Sequence, residues 1–113
     1  MKEIKAIIQP YMLESVCDAL ENIEGLPGLT LSHVLGFGKT RAADAIEATV
    51  EAGRSFAKQV KLEIVVTDEM APGVVNTIAR AARTGKAGDG KIFVSDVPNV
   101  IKIRTGEWGI SEV

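Results

Sequence analysis

The sequence predicts an α+β fold, one sheet with two helices packed on the same face. Three features point to it. Segments at 3–9, 29–35 and 60–66 alternate apolar and polar residues as half-buried strands do, and 91–95 is a short apolar run. Two stretches between these strands repeat apolar residues at helical spacing. A length of 113 residues gives one domain, large enough to bury a single core without staples.

In the first strand, 3–9, Ile4, Ala6 and Ile8 share a face. Leu13, Val16, Cys17, Leu20 and Ile23 then form one stripe of an amphipathic helix, which Gly25 and Pro27 end. Residues 29–35 make the second strand. After a long gap, Val60, Leu62, Ile64 and Val66 line one face of 60–66, with Lys61, Glu63 and Val65 on the other. The second helix is expected over about 70–83, with Val74, Val75, Ile78 and Ala82 inward. Asp68 is its expected N-cap, Pro72 falls in its first turn, and Thr84-Gly85 ends it. Residues 91–95 read as a buried strand and Val100-Ile101-Lys102-Ile103-Arg104 as a last extended piece. β-α-β, a gap, then β-α-β is the split βαβ, ferredoxin-like plan. Both helices then cover one face. The other mixes Lys5, Lys61 and Glu63 with Ile7 and Val65, which suits the inside of a small closed oligomer. Residues 37–58 are a 22-residue connection, a length that in a compact domain is functional or disordered.

Composition narrows the function classes. Thirteen Lys and Arg against 15 Asp and Glu leave a net charge of −2, with 46% hydrophobic and 25% charged residues. That is an ordinary globular balance, not the basic footprint of a nucleic-acid binder. Cys17 is the one cysteine, so neither an internal disulfide nor a CxxC pair forms. The segment Met1–Lys5 is too charged for a signal peptide, and no apolar run approaches the ~20 residues of a membrane span. A cytoplasmic domain that does not insert into membranes is expected.

Candidate chemistry concentrates in glycines and cations. In Gly88-Asp89-Gly90-Lys91, two glycines flanking one residue let successive backbone N–H groups converge on an anion, and Lys91 adds charge. Taken alone, a glycine-rich turn accounts for it equally. Gly85 to Lys91 also fits the first seven positions of G-x-x-x-x-G-K. Ile92 stands where the Mg²⁺-binding hydroxyl belongs, and the loop runs helix to strand, so it is not a P-loop. Gly36-Phe37-Gly38-Lys39 places another glycine pair and cation at the mouth of the long connection. Lys102 and Arg104 alternate on the last extended piece and so point the same way, as charges on a solvated edge strand also do. Three such elements together point to polyphosphate capture. His33 reads as structural, Cys17 as an inert core thiol, and Trp108 as a tail residue, packed on a neighbour or free. No nucleophilic triad, committed carboxylate pair or metal-ligand cluster is present, so no catalytic residue, metal site or catalytic cofactor is expected.

Arg83-Thr84-Gly85-Lys86-Ala87-Gly88-Asp89-Gly90-Lys91-Ile92-Phe93-Val94 resembles the B-loop signature of the PII nitrogen-regulatory signal transducers. Val100-Ile101-Lys102-Ile103-Arg104-Thr105-Gly106-Glu107 resembles their C-terminal signature. Residues 1–10, Gly36-Phe37-Gly38 and 61–66 match in order and spacing, so the resemblance covers a single domain, 1–113. Its T-loop would span about 37–58, its B-loop about 83–91 and its C-terminal segment 100–113. The resemblance implies a ferredoxin-like homotrimer with ATP or ADP in the clefts between subunits, and Mg²⁺ able to accompany ATP. The T-loop would report the bound state to a partner protein: a membrane transporter of the ammonium-channel or metal-efflux type, or an enzyme of nitrogen metabolism. By position, Gly28, Thr30, Glu63 and Val65 match the adenine and ribose pocket. Gly36, Phe37, Gly38 and Lys39, with Thr40 next in line, match the T-loop mouth beside the phosphates. Gly88, Asp89, Gly90 and Lys91 match the anion nest, and Lys102 and Arg104 the basic pair from the next subunit.

The departures also carry expectations. Lys39 and Lys102 stand where the family more often has arginine, keeping charge but not the bidentate fork. The T-loop tyrosine that is uridylylated has no counterpart, Tyr11 being the only tyrosine. Thr40 replaces a glutamine and Gln59 a lysine that serve 2-oxoglutarate in common members, so that acid is expected to bind weakly. A divergent PII-like subgroup shares these departures. From Arg41 to Gly53 the chain is alanine-rich, with Ala43, Ile46 and Val50 in one stripe and Asp44, Glu47 and Glu51 in another. That pattern predicts a segment that turns helical against its partner, with Ile46 and Val50 as anchors. The alternatives to a nucleotide sensor are a slow nucleotide hydrolase and a structural or metal-tolerance trimer of the CutA kind.

Overall fold

Burial alternates along the first strand as its sequence does, and that alternation fixes the side of the sheet on which the core lies. In the computed structural model the residues described are 1–37, 48–51 and 54–109, with backbone alone at 48–51 and 54. Among them the elements are β1 (Lys2–Ile8), a 3₁₀ turn (Pro10–Met12), α1 (Leu13–Glu21), β2 (Thr30–Gly36), β3 (Ala48–Glu51), β4 (Arg54–Val66), α2 (Ala71–Ala82) and β5 (Gly90–Asp96). The sheet order is β2-β4-β1-β5, all antiparallel, with β3 on β4. This is the expected ferredoxin-like arrangement.

Ile4, Ala6 and Ile8 of β1 and Val60, Leu62, Ile64 and Val66 of β4 form the buried floor. Val16 and Leu20 of α1, and Val74, Ile78 and Ala82 of α2, close over it, so both helices lie on one face. Each such Val, Leu or Ile contributes about 1.5–3 kcal/mol on leaving water. The register assembles the opposite face in rows: Thr30, Glu63, Lys5 and Phe93 in one, and Ser32, Lys61, Ile7 and Lys91 in the next. Lys61 lies 3.6 Å from Glu63 along its own strand.

Four local expectations are corrected. β5 is not a buried strand: it lies at the sheet edge and is exposed except at half-buried Ile92. Asp68 does not cap α2: its carboxylate holds the amino nitrogen of Met1 at 2.9 Å. The first free donor, the Met70 N–H, goes to the Thr67 hydroxyl at 3.3 Å. Residues 100–104 are not a strand of the sheet. They open a small hairpin in which Lys102 N–H donates to Glu107 O (2.9 Å), Gly106 N–H to Lys102 O (2.7 Å) and Gly109 N–H to Val100 O (2.9 Å). Trp108 bridges back to Ile101 there. Nor is 37–58 all loop. β4 starts at Arg54 and runs 13 residues, and Ala48–Glu51 pairs with Arg54–Ala57 as an antiparallel arm. Without a partner, 48–51 is therefore a strand rather than disordered or mixed, because backbone pairing with β4 outweighs alanine's helix propensity there; the helix is expected only against a partner. Ile46 lies outside the described residues.

Candidate functional site

α2 ends at Ala82 and β5 begins at Gly90, so seven residues must reverse the chain. Asp89 organises that turn. Its carboxylate accepts the Thr84 hydroxyl, the Thr84 N–H at 2.9 Å and the Gly85 N–H at 3.0 Å. The Thr84 hydroxyl, then the Thr84 and Gly85 amides and the nearby Arg83 charge, favour the ionised form and hold Asp89 below the usual carboxylate pKa. The carboxylate is thus committed to its own loop.

The glycines do separate work. Gly88 and Gly90 have φ of +93° and +105°, conformations in which other residues are strained. A Cβ on Gly90 would lie 1.7 Å from the Ile7 carbonyl oxygen, so only glycine lets the loop close against β1. From the other side Gln9, 7% exposed, donates its side-chain amide to the Gly88 carbonyl. The hollow beside the loop, about 290 Å³, is lined by Ile7, Ile8, Ala82 and Ile92 together with Arg83 and Lys91. Among the described residues Lys91, Lys102 and Arg104 make no ion pair. A glycine loop tied down from both sides, with a cation next to it, has the donor types that binding an anion requires.

The model of the family described as nitrogen regulatory protein P-II matches residues 1–107. The chain belongs to that family. It is 44% identical over 113 residues to the nitrogen regulatory protein P-II of Rhizobium meliloti, covering 100% of both chains. It is 49% identical over 107 residues to that of Klebsiella oxytoca, and 48% identical over 107 residues to nitrogen regulatory protein P-II 1 of Escherichia coli K12, covering 95% of each chain in both cases. P-II proteins are signalling regulators by family, and the α+β ferredoxin-like fold agrees with that membership.

The residues matched to P-II nucleotide positions fall into separate groups. Thr30, Glu63 and Val65 lie on the open face of β2 and β4, and Gly28 on the connection before β2. Lys91 lies on β5, three strand spacings from Thr30, about 14 Å at the usual ~4.8 Å separation. One chain therefore brings Gly88, Asp89, Gly90 and Lys91 together but does not close them onto Thr30. Gly36 ends β2 opposite Ala57, and the space a Cβ would take there is filled by the Gln59 amide, 2.0 Å away. The Phe37 ring rests on Phe56, 5.7 Å between centroids. Gly38, Lys39 and Thr40 lie outside the described residues. Lys102 and Arg104 sit on the hairpin rather than alternating on a strand, and Ile103 between them is 99% exposed. Val50 is in β3.

Of the remaining candidates, Cys17 is half-buried, and burial, then the charges of Glu21 and Asp18, push its thiol up, which keeps it protonated and inert. His33 is exposed on β2, and no group of three metal-ligating side chains occurs among the described residues. No described helix is long and apolar enough to cross a membrane. Sequence reading missed Gln9 as part of the site. It carried no motif there; only the reversal at Pro10 brings it inward beside a loop 79 residues away.

Proposed function

We propose that this P-II chain is a non-enzymatic cytoplasmic regulator that assembles as a homotrimer and binds ATP or ADP between subunits. It passes the bound state to a partner protein through the 37–58 segment. One observation carries the reading: the matched residues divide between β2–β4 and the loop before β5, three strand spacings apart, as a pocket shared between two copies would leave them. Two adjacent copies, one supplying the loop and the other the hairpin cations Lys102 and Arg104, supply what one lacks. Mg²⁺ would enter with the triphosphate.

Relatives named for nitrogen regulation support a nitrogen-linked partner, a transporter or a metabolic enzyme. The hydrolase alternative finds no base in the loop, because Asp89 is bonded to its own backbone. The CutA-type alternative gives no reason for a glycine loop held against β1 beside an unpaired lysine. Calorimetry with ATP tests the proposal. Lys91→Ala should lose roughly ten- to a hundredfold in affinity, the worth of one charge-assisted contact. An unchanged isotherm removes Lys91 from the site.

A further inference from the structure

Gln9 follows the last residue of β1, and Gly88 lies two residues before the first of β5. The ladder pairs Ile8 with Gly90, so position 9 comes opposite position 89. The Asp89 side chain is turned back onto Thr84 and Gly85. Gln9, buried, donates instead to the carbonyl of Gly88. A trans peptide is planar, and its C=O and N–H point in opposite directions. The carbonyl of Gly88 and the N–H of Asp89 belong to one peptide. Drawing that carbonyl toward Gln9 therefore turns the Asp89 N–H away from Gln9.

From this geometry we infer that Gln9 is a positioning residue for the anion loop, aiming the Asp89 N–H outward before any ligand arrives. The two pins are complementary. Asp89 fixes the loop's start through Thr84 and Gly85, Gln9 fixes its end through Gly88, and Gly90 allows the close approach to Ile7 that brings Gln9 within reach. Without Gln9 the Gly88 peptide, flanked by glycine freedom, can rotate, and a bound phosphate would have to order it. The inference rests on the nucleotide reading above only for the identity of the anion.

The test uses two variants and two readouts in the full chain. Gln9→Met keeps the length and removes the donor. Amide hydrogen exchange across residues 84–91 of the ligand-free protein should quicken in it, and ATP affinity should fall roughly tenfold while adenosine affinity stays unchanged. Gln9→Glu keeps the shape but presents a carboxylate to the Gly88 carbonyl. Its deficit for ATP relative to wild type should be greatest at about pH 8 and shrink by about pH 5.5, where a buried carboxyl takes up a proton and donates again. A general packing defect would not recover in acid. Unchanged loop exchange in Gln9→Met overturns the inference whatever the nucleotide results are. So does an equal loss for adenosine and ATP, or a Gln9→Glu deficit that does not change with pH. If wild type binds no ATP at all, the nucleotide reading falls while the exchange result still decides the role of Gln9.

Discussion

Gly90 shows how much structure one residue can carry. Its φ of +105° alone costs a side-chain-bearing residue about 1–3 kcal/mol. The Ile7 carbonyl would also have to move from a Cβ at 1.7 Å. Gly90→Ala should therefore lose at least that much in chemical denaturation, whereas Gly28→Ala, with nothing within 4 Å of the added atom, should be nearly neutral. Equal stabilities would refute the close approach. Asp89 makes a prediction in pH. Its folded pKa is depressed, so its contribution to loop order is complete above the unfolded aspartate value and disappears as pH falls through the lower folded one. The Thr84 and Gly85 amide shifts should titrate with a midpoint below the usual ~3.9. A midpoint at or above it would mean that these bonds do not form. The loop's glycines and lysine could be read from sequence because anion binding by backbone demands those residue types together. The inward turn of Asp89 and the role of Gln9 could not, since both depend on which way a side chain folds back.

Strands and helices were legible wherever one face is buried. Ile4-Ala6-Ile8 and Val60-Leu62-Ile64-Val66 keep their alternation, and Val74, Ile78 and Ala82 their helical spacing, because the core enforces both. Pattern failed where the core does not reach. Ala48–Glu51 carries a helix-like spacing yet pairs with Arg54–Ala57, and Lys58 interrupts the apolar alternation that would have extended β4 backward from Val60. Two residues lie between the paired Glu51 and Arg54, a common hairpin count. The arm predicts strand-type Cα and Cβ shifts at 48–51 in solution; helical shifts there would restore the helix. Ile46→Asp with Val50→Asp should leave ATP affinity intact and abolish capture of a defined partner. Retained capture would place the anchors elsewhere.

At the scale of the molecule, the open face of the sheet is the largest feature that a lone chain leaves unexplained. Ile7 and Val65 sit there among Glu3, Lys5, Lys61 and Glu63, all half-buried, while Phe93 at the edge is 51% exposed. The sequence already marked this face as unsuited both to water and to a monomer's core. Three copies closing around it would bury the apolar members and let the charges pair. Light scattering should return about three times the 12.0 kDa of one chain, independent of nucleotide. A monomer at micromolar concentration would remove the shared site. The hairpin at 100–109 escaped sequence reading for the same reason: Ile101 and Ile103 look like strand residues but, among the described residues, are 47% and 99% exposed, and Trp108, read as a tail residue, bridges back to Ile101.

The strand placed earliest in the chain is, like β4, paired on both sides, and its neighbours, Val60–Val66 and Gly90–Asp96, both come much later. During synthesis at ~5–20 residues per second, β1 therefore waits roughly 3–12 s for its first partner and longer for its second. The first closure spans about half of the polypeptide and the second most of it, which places the protein among domains whose folding is governed by distant pairings rather than local ones. A nascent chain halted before Gly90 would carry a half-paired centre, with the backbone of Lys2–Ile8 open to any passing strand. Completion of the anion loop and protection of that edge thus arrive in the same few residues.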